Sequence, residues 1–272
     1  LERLRGHLQA GHLRALAITG SSYSTGEHLT FYEAVDEIAP WARSQRVAVR
    51  ARLTHEHLMA SSAIPFIFPA VPLPVLGRCD HVGDGSMRQS APISPAVHLG
   101  ADRILVVGAG RLHEPVGARA AVVGYPSLAQ IAGHALSNIF LDALAVDIER
   151  LQRVNHTLSL LGPEARSRTS LRPIELLVIA PSQRLDDIAA HHLQALPAPV
   201  RAMLRAVGVS AGEVPCESGG DGGAALASYL LFEAPYTREL IALGEADTLA
   251  RREDVLRFFG WGRARTGQSA AA

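Results

Sequence analysis

Apolar positions recur along the chain in two rhythms. Short apolar or alternating runs at residues 13–19, 28–32 and 47–51 read as strands, with Gly26-Glu27 turning the first back into the second as a hairpin. Unbroken apolar runs at 102–109 and 174–180 read as buried strands of one sheet, the second stopped by Pro181-Ser182. The spacing predicts a helix over 54–62, with Thr54 as N-cap and His57 three residues on. A long helical region follows at 125–161, broken around Gly133 and kinked near 153–155. Shorter helices are expected at 185–193, 198–206, 224–232 and 236–243, and residues 255–259 close the ordered part. Pro65, Pro69, Pro72 and Pro74 impose an extended, loop-like path on the stretch leading to Asp84. Residues 210–223, rich in Gly, Ser and acid, read as a loop, and the small, polar stretch 262–272 as a disordered tail. Strands alternating with helices imply an α/β layered fold with a central sheet.

Composition narrows the function classes. At 48% hydrophobic the 272 residues have ample material for a core. Basic and acidic residues balance at 26 each, every basic residue is arginine, and no basic block stands out, which argues against a nucleic-acid partner. Cys79 and Cys216 are far apart and fit no paired metal spacing, so two free thiols in a reducing, cytoplasmic compartment are expected. No apolar run reaches the ~18 residues a spanning helix needs.

The candidate chemistry centres on Gly83-Asp84-Gly85-Ser86, followed by Pro92-Ile93-Ser94-Pro95-Ala96 and Leu99-Gly100-Ala101. A carboxylate between two glycines reads as one on a loop or strand end close to an open cleft, with Gly83 or Gly85 at positive φ or in a tight turn. A lone Asp-Gly is also an ordinary surface turn.

What surrounds it resembles the bacterial patatin-like phospholipases, a family of Ser-Asp dyad lipid hydrolases. Ala60-Ser61-Ser62-Ala63-Ile64-Pro65-Phe66-Ile67-Phe68-Pro69 is similar to the family's A-S-x-A-I-P-x-x-F-P segment. Gly83-Asp84-Gly85-Ser86 stands where the family has D-G-G or D-G-A, with Ser86 the departure. Ser228-Tyr229-Leu230-Leu231-Phe232 and Tyr236-Thr237-Arg238-Glu239-Leu240-Ile241 resemble C-terminal helices of one bacterial branch. The resemblance implies an α/β layered fold with a central, largely parallel sheet flanked by helices, incomplete at its N-terminus. It divides the chain into the C-terminal half of a catalytic domain (1–110), a helical and strand extension packing on it (111–262), and the tail (263–272). It makes Asp84 the general base of an acyl-ester hydrolase, with Gly83 and Gly85 shaping its turn, no cofactor and no metal. Lipid or another acyl ester is then the substrate, and the setting is cytoplasmic with peripheral membrane contact.

The family's nucleophile elbow, a G-x-S-x-G near the N-terminus after a glycine-rich oxyanion loop, is not found ahead of Asp84. In that part Gly20-Ser21-Ser22-Tyr23-Ser24 comes nearest, but its fifth residue is serine and no helix pattern follows; downstream, Ser218 sits among glycines in the wrong frame. The chain begins at Leu1 with helical character and reads as the C-terminal portion of a longer protein, without turnover by itself. A non-catalytic lipid- or partner-binding protein of the same fold is the alternative. A third reading, a nucleotide-binding module, rests only on Gly108-Ala109-Gly110, whose third glycine position is occupied by His113. Ser61 and Ser62 read as packing or capping residues. His55-Glu56-His57 and His191-His192 lack the i, i+4 spacing of a zinc helix. Phe66, Ile67, Phe68 and Val71 are expected to be mostly core.

Overall fold

A hairpin organises the first part of the molecule. The structure, a computed structural model, describes residues 1–65, 67–110, 128–206 and 222–261. Helix α1 (Glu2–Gln9) leads to β1 (Ala15–Ser22) and β2 (His28–Ala34), which pair antiparallel from Ala15↔Ala34 to Ser21↔His28. Two short strands follow, β3 (Ala42–Arg43) and β4 (Arg46–Arg50), then helix α2 (His55–Ser61). Strands β5 (Val71–Val75) and β6 (Arg78–Asp84) complete a six-stranded sheet in the order β3-β4-β2-β1-β6-β5. After β6 the chain makes a 3-10 turn (Gly85–Arg88) and a short helix, α3 (Ser94–His98). The apolar sides of Ile18, Leu29, Phe31, Leu53, Ala60, Leu73, Val75 and Val82 form the core of this unit. Thr54 precedes α2 as expected, and His57 Nδ1 accepts the Thr54 N–H at 3.1 Å, closing the helix start from the third position.

The large sheet is not the largely parallel one the sequence suggested. Of its pairings only β2 with β4 is parallel; β1–β2, β1–β6, β3–β4 and β5–β6 are antiparallel. For β1–β2, β3–β4 and β5–β6 the physical reason lies in the connections, since a turn of a few residues can join only antiparallel neighbours. The proline-rich stretch departs from expectation in the same way: residues 71–84 form a hairpin rather than a loop. β5 is an edge strand, and Pro72 and Pro74 lie two apart in it, opposite His81 and Cys79. Their missing N–H groups therefore fall on one side, and the outer side of an edge strand needs no donor. Leu76 and Gly77 between the strands have φ of 49° and 79°, the positive values a two-residue hairpin turn demands at both positions.

The chain divides into two compact units, Leu1–Ala101 with Val146–Leu151, and Asp102–Ala145 with Gln152–Ala272. In the second, β7 (Arg103–Val107) and β8 (Glu175–Ile179) pair in parallel, so the two apolar runs are strands of one sheet, as their pattern implied. Helix α4 runs unbroken over Leu128–Leu160, through Gly133 and through residues 153–155, where a break and a kink were expected. Asn155 stays within the helix, its amide donating to the Ile174 carbonyl and accepting the Ile174 N–H. Helices α5 (Pro163–Ser167), α6 (Leu185–His192), α7 (Ala198–Ala206), α8 (Gly222–Ser228), α9 (Ala234–Ala250) and α10 (Arg252–Phe259) complete the unit. Ile188, Ala189, Leu193, Leu196, Leu204, Ala227, Leu231 and Tyr236 form its core. No helix among the described residues is long and apolar enough to cross a membrane. The Gly-rich stretch around 210–220, the tail, Phe66, His113, Cys216 and Ser218 lie outside the described residues.

Candidate functional site

Asp84 is the last residue of β6, where it pairs with Gly20 of β1 and donates its N–H to the Ala63 carbonyl at 3.1 Å. The strand ends there because the next residues coil into the 3-10 turn, which the Asp84 side chain caps. Its Oδ1 accepts the Ser86 N–H at 2.9 Å and also the Ser86 hydroxyl. The other oxygen, Oδ2, has no partner among the described residues and is not sealed off from solvent, although the residue as a whole is only 8% exposed. The carboxylate is thus clamped through one oxygen and free through the other. Ser86, two residues on, supplies that clamp.

Gly85 opens the 3-10 turn, one of the two forms expected of the flanking glycines, and close packing adds a further demand. Neither has positive φ. A Cβ on Gly85 would lie 2.5 Å from Thr19 Oγ1 and 2.7 and 2.8 Å from the Thr19 carbonyl carbon and oxygen. A Cβ on Gly83 would lie 2.6 Å from the Tyr23 ring. At Gly85 close approach of the β1 backbone, not backbone conformation, excludes a side chain; at Gly83 the neighbour is the far end of the Tyr23 ring, which would have to turn aside.

A second aspartate, unnoticed in the sequence, lies four residues earlier. Asp80 Oδ2 accepts the Ser22 hydroxyl at 2.5 Å, and Oδ1 accepts the Ser24 hydroxyl. Burial pushes its pKa up, but the hydroxyls of Ser22 and Ser24 and the N–H groups of His81 and Ser24 outweigh that and hold it below 3.8. Ser22 Oγ in turn accepts the Thr25 N–H and the Thr25 hydroxyl, each at 2.9 Å. Although this is a serine against an aspartate, Ser22 is 3% exposed and its oxygen is fully committed. It also ends a strand that turns into another strand, not into a helix, so it makes no nucleophile elbow. The network ties the β1–β2 turn to β6. Nothing in the spacing of Asp80 distinguished it, because its stretch read as loop.

The remaining candidates resolve individually. Ser62 Oγ donates back to the Leu58 carbonyl at 2.9 Å, a helix-end contact. His57 is buried edge-on to Phe31, and its desolvation, partly opposed by Glu56, lowers its pKa. His192 Nε2 meets Glu239 Oε2 at 2.6 Å. No group of three or more His, Cys, Asp or Glu side chains among the described residues is placed to hold a metal ion. Gly108 continues the pairing of β7, its N–H reaching the Ile179 carbonyl at 2.8 Å. Phe68 is exposed and Ile67 and Val71 are only partly buried, so this patch is less of a core than its composition suggested. Comparison with protein families, with curated proteins and with solved structures finds no match to this chain.

Proposed function

We propose that the chain supplies the general base of a Ser-Asp dyad acyl-ester hydrolase of the patatin-like type, with the layered fold of that family, acting on lipid esters at a cytoplasmic membrane surface. Asp84 is the base, and the nucleophilic serine belongs to polypeptide outside these 272 residues. One observation carries the reading: a carboxylate at a strand end, held at Oδ1 by Ser86 and free at Oδ2, between two glycines packed closely against Tyr23 and Thr19. A base of this kind works by position first, and a clamped carboxylate holds its free oxygen where a hydroxyl can meet it.

The chemistry follows from that free oxygen. The serine oxygen bonds to the ester carbonyl carbon while its proton passes to Asp84 Oδ2. Collapse of the tetrahedral intermediate breaks the carbon–alkoxy bond, and Asp84 returns the proton to the leaving alcohol. Water, deprotonated by the same oxygen, then releases the acyl group from serine.

Hydrolysis of p-nitrophenyl acyl esters tests this. The 272-residue chain is expected to give no turnover above background, because no elbow serine precedes Asp84 in it. In a polypeptide that includes the elbow serine, Asp84→Asn should lower kcat by at least about 10⁴-fold. Robust turnover by the present chain, or full activity of the Asp84→Asn variant, would overturn the reading.

A further inference from the structure

A row of polar side chains crosses four strands of the large sheet. Register places Ser21 of β1 opposite His28 of β2, His28 opposite Arg46 of β4, and Arg46 opposite Arg43 of β3. Residues paired in this way share one face of a sheet. Two atoms in the row are buried without a partner, Ser21 Oγ and His28 Nε2. Arg46 makes no ion pair or side-chain hydrogen bond among the described residues, and the guanidinium of Arg43 reaches only the carbonyl of its neighbour Ala42. Two positive charges therefore stand beside a buried imidazole with no carboxylate paired to either.

A small cavity opens on this row, lined by His28, Thr30, Trp41, Arg43, Arg46 and Ser94. It has about 10 Å³ of room, which suits one oxygen-sized atom. Trp41, stacked between His98 and Tyr32, makes one wall rigid. The tautomer of His28 is decided by its other nitrogen: Nδ1 faces the Gly85 carbonyl at 3.3 Å, and a carbonyl only accepts, so Nδ1 carries the hydrogen. In the neutral ring Nε2 is then an acceptor that lacks a donor. The ligand chemistry that answers all of this has negative oxygens for the guanidinium groups and an acid proton for Nε2.

We propose that this cavity is a subsite for a phosphate group with an ionisable P–OH, either free phosphate or the headgroup of a phosphomonoester. One oxygen enters the cavity and donates its proton to His28 Nε2. The others stay outside, where Arg46 and the exposed Arg43 reach them. Sulfate has the same shape and charge-bearing oxygens but no acid proton at neutral pH, so it satisfies the arginines and leaves Nε2 unpaired. Binding needs no nucleophile, so the inference stands or falls apart from the role of Asp84.

The test is a titration of the ¹⁵N-labelled 272-residue chain with inorganic phosphate, sn-glycerol 3-phosphate and sulfate, at pH 7 and constant ionic strength. The indole resonance of Trp41 reports the site, and that of Trp261, in the other unit, is the internal reference. The expected result is a saturable shift of Trp41 alone with both phosphates. Sulfate should bind about tenfold or more weakly, as should phosphate to Arg46→Gln and to the surface variant Arg43→Gln. Tighter binding of sn-glycerol 3-phosphate supports a headgroup site; equal or tighter binding of inorganic phosphate supports a free-phosphate site. No saturable shift, equal affinity for sulfate, or unchanged affinity in both arginine variants would overturn the proposal.

Discussion

Replacing Gly85 by alanine puts the account of the Asp84 turn under direct strain. The new methyl would lie 2.5 Å from Thr19 Oγ1, and 2.7 and 2.8 Å from the carbonyl carbon and oxygen of the same residue. Backbone atoms of β1 cannot swing aside as a side chain can, so β1 and the 3-10 turn must separate. Overpacking of this kind costs about 1–3 kcal/mol. Gly83→Ala meets only the ring of Tyr23, which is half exposed and free to rotate away, so its cost should be smaller, below about 1 kcal/mol. The assay is urea unfolding followed by Trp41 fluorescence in a Trp261→Phe background, which reports the first unit alone and avoids treating a two-unit chain as one transition. A second variant sharpens the test. Thr19→Ala removes the 2.5 Å clash and leaves the two backbone clashes, so it should rescue Gly85→Ala only in part. Stability of Gly85→Ala within about 0.3 kcal/mol of wild type, or complete rescue by Thr19→Ala, would refute the claim that close backbone approach is what demands glycine here.

Two further predictions concern the same unit. Asp80→Asn should destabilise it by about 1–3 kcal/mol at pH 7, since the charged acceptor of the buried Ser22 hydroxyl and of the exposed Ser24 hydroxyl is lost. Because the folded pKa of Asp80 lies below its unfolded value near 3.8, its contribution is fully present above pH 4 and fades as pH falls through the folded pKa; urea midpoints of wild type and variant should therefore converge in acid. For His57, burial outweighs Glu56 and sets the folded pKa below the ordinary 6.5, so the unfolded chain takes up a proton first as pH falls. Stability should then drop below about pH 6.5 by up to ~1.4 kcal/mol per pH unit for this proton, and His57→Gln should flatten the profile by that amount in pH-resolved urea titrations.

Most of the elements were legible in the order of residues, and the site only in outline. The strand runs around Ile18, Phe31 and Ala48, the paired apolar runs ending at Val107 and Ile179, and the capped start of α2 at Thr54 all follow from local pattern, because each depends on neighbours within a few positions. Asp84 stood out for the same reason, as an acid between two glycines. Partner choice was another matter. Whether β6 lies beside β1, whether Pro72 and Pro74 fall on an outer edge, and whether the sheet is mostly antiparallel depend on which distant segments meet. Tertiary pairing likewise decided why residue 85 is glycine, since the backbone atoms that exclude a side chain belong to Thr19, some sixty residues away. It also made Asp80 a clamp on the Ser22 turn and brought His28, Arg46 and Arg43 into one row. Local periodicity is written in the chain itself; long-range contact, where polar groups find or lack their partners, exists only once the strands have paired.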